Sequence, residues 1–248
     1  MIKQAIIPLA GLGTRLLPFT SVLPKELLPI HSKPGLEYIL DECIEAGIKE
    51  IIFIISTKKQ IIKRYFYNDT FFKKMIKFVY QNSPRGTGDA VLKCRNLIKS
   101  KYFLMLMPDD LIIKSNCSLS LIKLNAKFNS SIIASKKIDK KNVSRWGILD
   151  FKKMNKKNFV LNDVIEKPSI KLAPSNYAVI GRYILPRKIF KILEKQKAGQ
   201  NGEIHITDAI RTLIHEKNKF LGHVFSGKYL DCGTMKGYVN ASREISKL

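Results

Sequence analysis

The sequence predicts an α/β fold: a Rossmann-like mixed, mostly parallel sheet flanked by helices. Three observations predict it. An apolar run at residues 4–9 is followed, after a long loop, by an amphipathic stretch at 35–46 and a second apolar run at 50–55. Strand, helix and strand of these lengths form a right-handed βαβ unit and hence a parallel sheet. A further apolar run, KYFLMLM at 101–107, ends abruptly in Pro108, Asp109 and Asp110. The chain has 248 residues, 45% of them hydrophobic and 26% charged, enough for one well-filled domain.

Pro34 stands where the first helix begins and Gly47 follows its last periodic residue, a start and stop pattern. Leu36, Ile39, Leu40, Cys43 and Ile44 share one face at helical spacing. Residues 56–67 read as the next helix, capped by Ser56 or Thr57. Residues 71–80 read as a short helix that gives way to a strand at 77–81. QNSPRGTGDA, 81–90, is a loop with two glycines that opens a helix. Residues 119–128 read as a helix and 131–137 as a strand. The second half is less regular, with strands predicted at 147–151, 159–166, 178–185 and 220–225, and helices at 187–194, 206–216 and 234–246. No internal repeat or low-complexity linker divides the chain, so a single domain over 1–248 is expected, with a less regular part from about 141 onward completing the pocket. The lysine runs at 136–141 and 152–157 read as exposed loops or hairpins.

A net charge of +24 invites a nucleic-acid reading. Yet nine arginines leave 35 lysines, scattered beside Ile and Asn with no long basic arm. The excess reads as solvated surface that helps attract small anionic substrates, and neither nucleic acid nor membrane is expected as a partner. Cys43, Cys94, Cys117 and Cys232 form no CxxC pair, and the four histidines show no HExxH spacing. Buried thiols in a reducing compartment are expected. No run approaches 18 apolar residues, and the first residues lack the pattern of a leader, so a cytoplasmic location is expected.

The stretch GLGTRLLPFTSVLPKELLP, residues 11–29, lies between the first strand and the first helix. Long loops beside a buried strand usually carry function. Gly11 and Gly13 let backbone amides approach an anion, Arg15 offers a planar fork to phosphate oxygens, and Lys25 adds a point charge. Leu16 excludes the GxGxxG pattern, and no Gly-Lys-Ser/Thr closes a Walker A loop. In open α/β sheets ligands bind beyond the carboxyl ends of the strands, where Asp109 and Asp110 stand.

The full string GxGTRxxPxTxxxPKExLP resembles the signature of the sugar-nucleotide pyrophosphorylases, and its PKELLP form most resembles the bacterial uridylyltransferase branch of that family. QNSPRGTGDAV, PDD at 108–110, RWGILD, DVIEKP, APSNYAVIGRY, GEIHITDAI and YLDCGT follow in the family's order, so the match spans nearly the whole chain. The resemblance implies the nucleotide-diphospho-sugar transferase fold and a Mg²⁺-dependent transfer between UTP and glucose 1-phosphate. It implies Asp109 and Asp231 as metal ligands, and Arg15 and Lys25 as catalytic cations on the pyrophosphate and α-phosphate. Ala10, Gly11, Gly13, Thr14, Glu26, Gln81 and Gly86 would bind the nucleotide. Gly147, Glu166, Lys167 and Asn176 would bind the sugar phosphate. A homo-oligomer is implied as well. Glu166 and Lys167 are adjacent, and neighbours on a strand face opposite ways, so both can serve one ligand only if the strand end twists or bulges.

Three departures from the family pattern stand out. Ser21 follows Thr20 where Lys is usual, the segment between Ile62 and Gln81 is short, and Trp146 replaces a usual Tyr. Rival readings are a thymidylyl-, cytidylyl- or adenylyltransferase of the same fold, a non-catalytic regulatory paralogue, and a basic nucleic-acid binder. The intact Thr14–Arg15 pair argues against the paralogue, and PKE with VIEKP favours UTP and glucose.

Overall fold

The computed structural model describes residues 2–199 and 202–248. The elements in order are β1 (Gln4–Pro8), β2 (Pro29–Ile30), β3 (Lys33–Pro34), α1 (Gly35–Glu45), β4 (Glu50–Ile55), α2 (Gln60–Tyr67), α3 (Thr70–Met75) and β5 (Ile76–Tyr80). Then come α4 (Thr87–Leu92), β6 (Tyr102–Leu106), β7 (Asp110–Ile113), α5 (Cys117–Phe128), β8 (Ser131–Lys137), β9 (Gly147–Asp150), β10 (Met154–Asn155), β11 (Asn158–Val160) and β12 (Asp163–Glu166). The chain closes with β13 (Tyr177–Pro186), α6 (Ile189–Lys195), α7 (Ile206–His215), β14 (Phe220–Val224), β15 (Lys228–Asp231) and α8 (Met235–Ile245).

One large sheet runs through the molecule in the order β10-β11-β14-β8-β13-β6-β1-β4-β5, with β9 and β12 branching from β13. β1 lies parallel to β4 and β6, β4 to β5, and β8 to β14. β13 opposes both β6 and β8, so every central strand but β13 shares one direction. Alternate residues of the central strands enter different cores. Ile7, Phe53 and Leu104 pack with α1 and α5 on one face, and Ile6, Ile52 and Met105 with α4, α6 and α7 on the other. Burial on both faces is what makes these strands continuous apolar runs rather than alternating ones.

The structure departs from the sequence reading most clearly in three places. The predicted strand at 159–166 is two: β11 joins β14, whereas β12 turns away to pair with β9. The predicted helix at 56–67 begins with a 3-10 turn at Thr57–Lys59 before α2. Unforeseen β7 and β15 form an antiparallel ribbon that sets Asp231 opposite Asp110. Each is four residues long and stabilised by the other, so neither makes a strong local signal. Among the described residues no helix is long and apolar enough to cross a membrane.

Candidate active site

β1, β4 and β6 end on the same side of the sheet, and the 11–29 stretch wraps across their ends. Gly13 starts a 3-10 turn at φ +72°, and the Thr20 hydroxyl donates to its carbonyl at 2.9 Å, pinning the loop on itself. A cleft of about 330 Å³ opens here, lined by Ala10, Gly11, Gly13, Thr14, Lys25 and Glu26 from one side and by Gln81, Gly86 and Glu203 from the other. A Cβ on Gly11 would meet nothing within 4 Å and would occupy open space. Gly86 caps α4 at φ +101°, and a Cβ there would strike the Ile204 carbonyl at 2.5 Å, so only glycine fits. Gln81 Nε2 donates to Asp89 Oδ2 at 2.6 Å and to the Gly86 carbonyl at 3.3 Å, which fixes the amide plane at the cleft wall.

Beside this cleft the charged groups converge. Lys25 Nζ lies 2.7 Å from Asp109 Oδ2, and Arg15 Nη2 lies 3.6 Å from the same oxygen. Burial works against both charges of the Lys25–Asp109 pair. Their mutual attraction and hydrogen bond outweigh it, holding the Asp109 carboxyl below the usual range and the Lys25 ammonium above it. Asp231, at the end of β15, accepts from the Gly233 amide at 2.9 Å and faces Arg145 Nη2 at 3.4 Å. A Cβ built on Gly233 would meet Asp109 Oδ2 at 2.8 Å, Arg15 Nη2 at 2.9 Å and Asp231 Oδ1 at 3.2 Å. Two carboxylates and a guanidinium thus surround one small cradle that any side chain would fill. Among the described residues no three His, Cys, Asp or Glu side chains form a cage. Two hard carboxylate oxygens on an open cradle fit a hard divalent cation that keeps waters and substrate phosphates as its other ligands.

Several functional groups were missed by the sequence reading. Lys59, one lysine among many, is buried with its Nζ 3.0 and 2.9 Å from the Glu26 oxygens and 2.7 Å from the Leu9 carbonyl. Burial depresses its pKa despite Glu26. Its signal was periodicity, since Lys59, Ile62 and Phe66 fall on one buried helical face. Arg145 stacks on Trp146 with its guanidinium carbon 4.7 Å from the ring centre, which braces it toward Asp231. Arg182, with no exposed surface, and the buried Glu42 form an ion pair behind Asp109 and Asp110.

Of the four residues that the resemblance assigns to the sugar phosphate, Gly147, Glu166 and Lys167 meet at the junction of β9 and β12, where Glu166 pairs with Gly147. Glu166 Oε2 accepts from the Thr207 hydroxyl at 2.8 Å. A Cβ on Gly147 would lie 3.2 Å from that same carboxylate oxygen. Lys167 leaves β12 at φ +43°, a left-handed backbone rare for lysine, while its amide donates to the Trp146 carbonyl. The strand end does twist, and Lys167 Nζ returns to within 3.8 Å of Glu166 Oε1. Asn176 stays outside this corner. β13 sets Ala178 opposite Ile148, so Asn176 lies on the far side of Ile148 from Gly147. Its Nδ2 donates to the Ile138 carbonyl at 3.1 Å, and its own carbonyl accepts from the Ile138 amide.

Known proteins resemble this chain over nearly its whole length. The pattern of the nucleotidyl transferase family matches residues 4–247. UTP–glucose-1-phosphate uridylyltransferases of Bacillus subtilis and Pseudomonas aeruginosa are 34% and 33% identical, over 99% and 98% of this chain and 91% and 95% of their own lengths. A crystal structure of UDP-glucose pyrophosphorylase complexed with UDP-glucose superposes with a TM-score of 0.93 at 36% identity, covering 100% of this chain and 99% of that one. A UTP-bound enzyme from Acinetobacter baumannii superposes with a TM-score of 0.88 at 29% identity, over 99% and 93%. With the family pattern spanning nearly all of it and relatives this similar end to end, the chain belongs to the nucleotidyl transferase family, among the UTP–glucose-1-phosphate uridylyltransferases.

Proposed function

We propose that this protein transfers a uridylyl group: UTP and α-D-glucose 1-phosphate give UDP-glucose and pyrophosphate. The observation that carries the reading is the meeting of Arg15, Lys25, Asp109 and Asp231 around the Gly233 cradle, beside a glycine-walled cleft. A phosphate oxygen of the sugar attacks the α-phosphorus of UTP. The bond from that phosphorus to the bridging oxygen breaks, and pyrophosphate leaves with the electron pair. The attacking phosphate is already an anion, so the site needs alignment and charge neutralisation rather than a strong base.

Lys25, fixed on Asp109 and walled by the protein, is placed to stabilise the α-phosphate as charge builds there. Arg15, whose side chain is 63% exposed, is free to follow the departing pyrophosphate. Backbone at Ala10 and Gly11 supports the base, and Gln81 offers its amide oxygen to the uracil N3–H. Glu26 acts from the cleft wall, held by Lys59. On the sugar side Glu166 accepts glucose hydroxyls, Lys167 holds the sugar phosphate, and Gly147 leaves room for the ring. Asp109 and Asp231 would hold Mg²⁺, which would neutralise phosphate charge as a Lewis acid.

The test is pyrophosphate release from each nucleoside triphosphate with glucose 1-phosphate and Mg²⁺. UTP should be turned over best. A clear preference for dTTP would overturn the base assignment, and no release from any triphosphate would overturn the transferase reading.

A further inference from the structure

Arg182 is a charged residue inside the otherwise apolar strand β13, and none of its surface is exposed. Every N–H of its guanidinium is engaged. Nε bonds Glu42 Oε1 at 3.0 Å, and Nη2 bonds Glu42 Oε2 at 2.7 Å and the Asp110 carbonyl at 2.8 Å. Nη1 bonds the Gly181 carbonyl at 2.9 Å and the Met107 carbonyl at 3.3 Å. The two outer carbonyls, Met107 and Asp110, bracket Asp109 in the chain. Lysine, with three donors and no planar fork, cannot hold all of these acceptors at once.

A second set of bonds ties the same turn to the other carboxylate. Asp110 Oδ2 accepts from the Gly181 amide at 2.9 Å, and Oδ1 accepts from the Tyr229 hydroxyl at 2.6 Å. Tyr229 lies on β15, whose last residue is Asp231. The Cys232 amide donates to the Asp109 carbonyl at 2.8 Å, and β15 sets Asp231 opposite Asp110. The strand segments bearing Asp109 and Asp231 are thus clamped from behind to β13 and α1.

We infer that Arg182, braced by Glu42, is a positioning residue that sets the spacing of the Asp109 and Asp231 carboxylates for a divalent cation, with Tyr229 and Asp110 as the second arm of the clamp. This rests on the reading of those two carboxylates as the metal pair. It requires the clamp to act on cation affinity and not only on folding.

The experiment titrates Mn²⁺ into protein saturated with UDP-glucose and follows the free-Mn²⁺ paramagnetic resonance signal, against UDP-glucose alone as baseline. Binding of UDP-glucose in EDTA is measured by calorimetry and unfolding by a thermal melt. Arg182→Lys and Tyr229→Phe should each weaken Mn²⁺ binding about tenfold or more, in line with groups that orient metal ligands. UDP-glucose affinity in EDTA should change less than about twofold, because the clamp touches no nucleotide. Tyr102→Phe removes an exposed hydrogen bond to the Asn129 carbonyl at the other end of β6, and should lower the melting temperature slightly while leaving Mn²⁺ affinity unchanged. If Asp109→Asn binds Mn²⁺ like the unmodified protein, the metal reading itself is wrong. If Asp109→Asn loses Mn²⁺ while folded Arg182→Lys retains it, the clamp is overturned and the metal reading stands. Should Arg182→Lys not fold, Tyr229→Phe decides alone, and unchanged Mn²⁺ affinity in it overturns the clamp.

Discussion

The proposed nucleotide side and the proposed sugar side of this molecule both hold polar groups still at strand ends, by different means. On the nucleotide side, parallel strands stop together and the polar groups are fixed by buried ion pairs: Lys25 with Asp109, Lys59 with Glu26, Arg182 with Glu42. On the sugar side, the antiparallel β9–β12 pair presents Glu166, held by the Thr207 hydroxyl and by its closeness to Gly147, with only the half-exposed Lys167 ammonium 3.8 Å away as a cation. The contrast follows the ligand. A triphosphate needs cations in a dry wall, where an unbalanced charge is costly, so each cation arrives with a carboxylate. A sugar ring offers hydroxyls, and a carboxylate not buried against a cation can accept from them.

That contrast breaks most directly at Lys59. Lys59→Met should leave the Glu26 carboxylate buried without its partner and cost about 3–5 kcal/mol of stability, as other broken buried pairs do. Urea unfolding measures it. A loss below about 1 kcal/mol would mean that the pair behaves like a surface bridge and that the two sides are alike in kind. Lys25→Ala comes next. Turnover should fall about 10²–10³-fold, the effect of losing a preorganised donor to transition-state charge. UTP affinity should change only about threefold, and an equal loss in both would assign Lys25 to uniform binding. Thr207→Val tests the sugar side. It should leave Glu166 without its hydroxyl donor and raise KM for glucose 1-phosphate by about tenfold, from about 1–2 kcal/mol, with KM for UTP unchanged.

The sequence showed these two sides unequally. The apolar runs at 4–9, 50–55 and 101–107 stood out because strands buried on both faces are apolar throughout. The 11–29 stretch stood out because its glycines and prolines suit backbone conformations that few other residues adopt. The buried pairs did not stand out, because pairing is a tertiary fact. Glu42 lies 140 residues from Arg182 and Lys59 lies 33 from Glu26, with nothing local to join them. A charge inside YAVIGRYIL was nonetheless a visible sign of a buried partner. A twist or bulge at the end of β12 could be stated from the sequence as a condition, but the left-handed backbone of Lys167 could be seen only in the fold.

Asn176 marks where the sugar corner ends, and it carries the smallest expected effect. The resemblance places it with Gly147, Glu166 and Lys167, but register sets it across Ile148, where its side chain closes a bond to the Ile138 carbonyl. Its amide therefore joins β13 to the end of β8 and supports the site only through the backbone. Asn176→Ala should cost about 1 kcal/mol of stability, the ordinary worth of one such hydrogen bond, seen as a small shift in the urea midpoint. KM for glucose 1-phosphate should stay within about twofold, since no ligand contact is lost. A tenfold rise in KM without a matching loss of stability would place Asn176 in the sugar site after all. The sugar side would then extend along β13 beyond the β9–β12 corner, and Glu166 would no longer mark its edge.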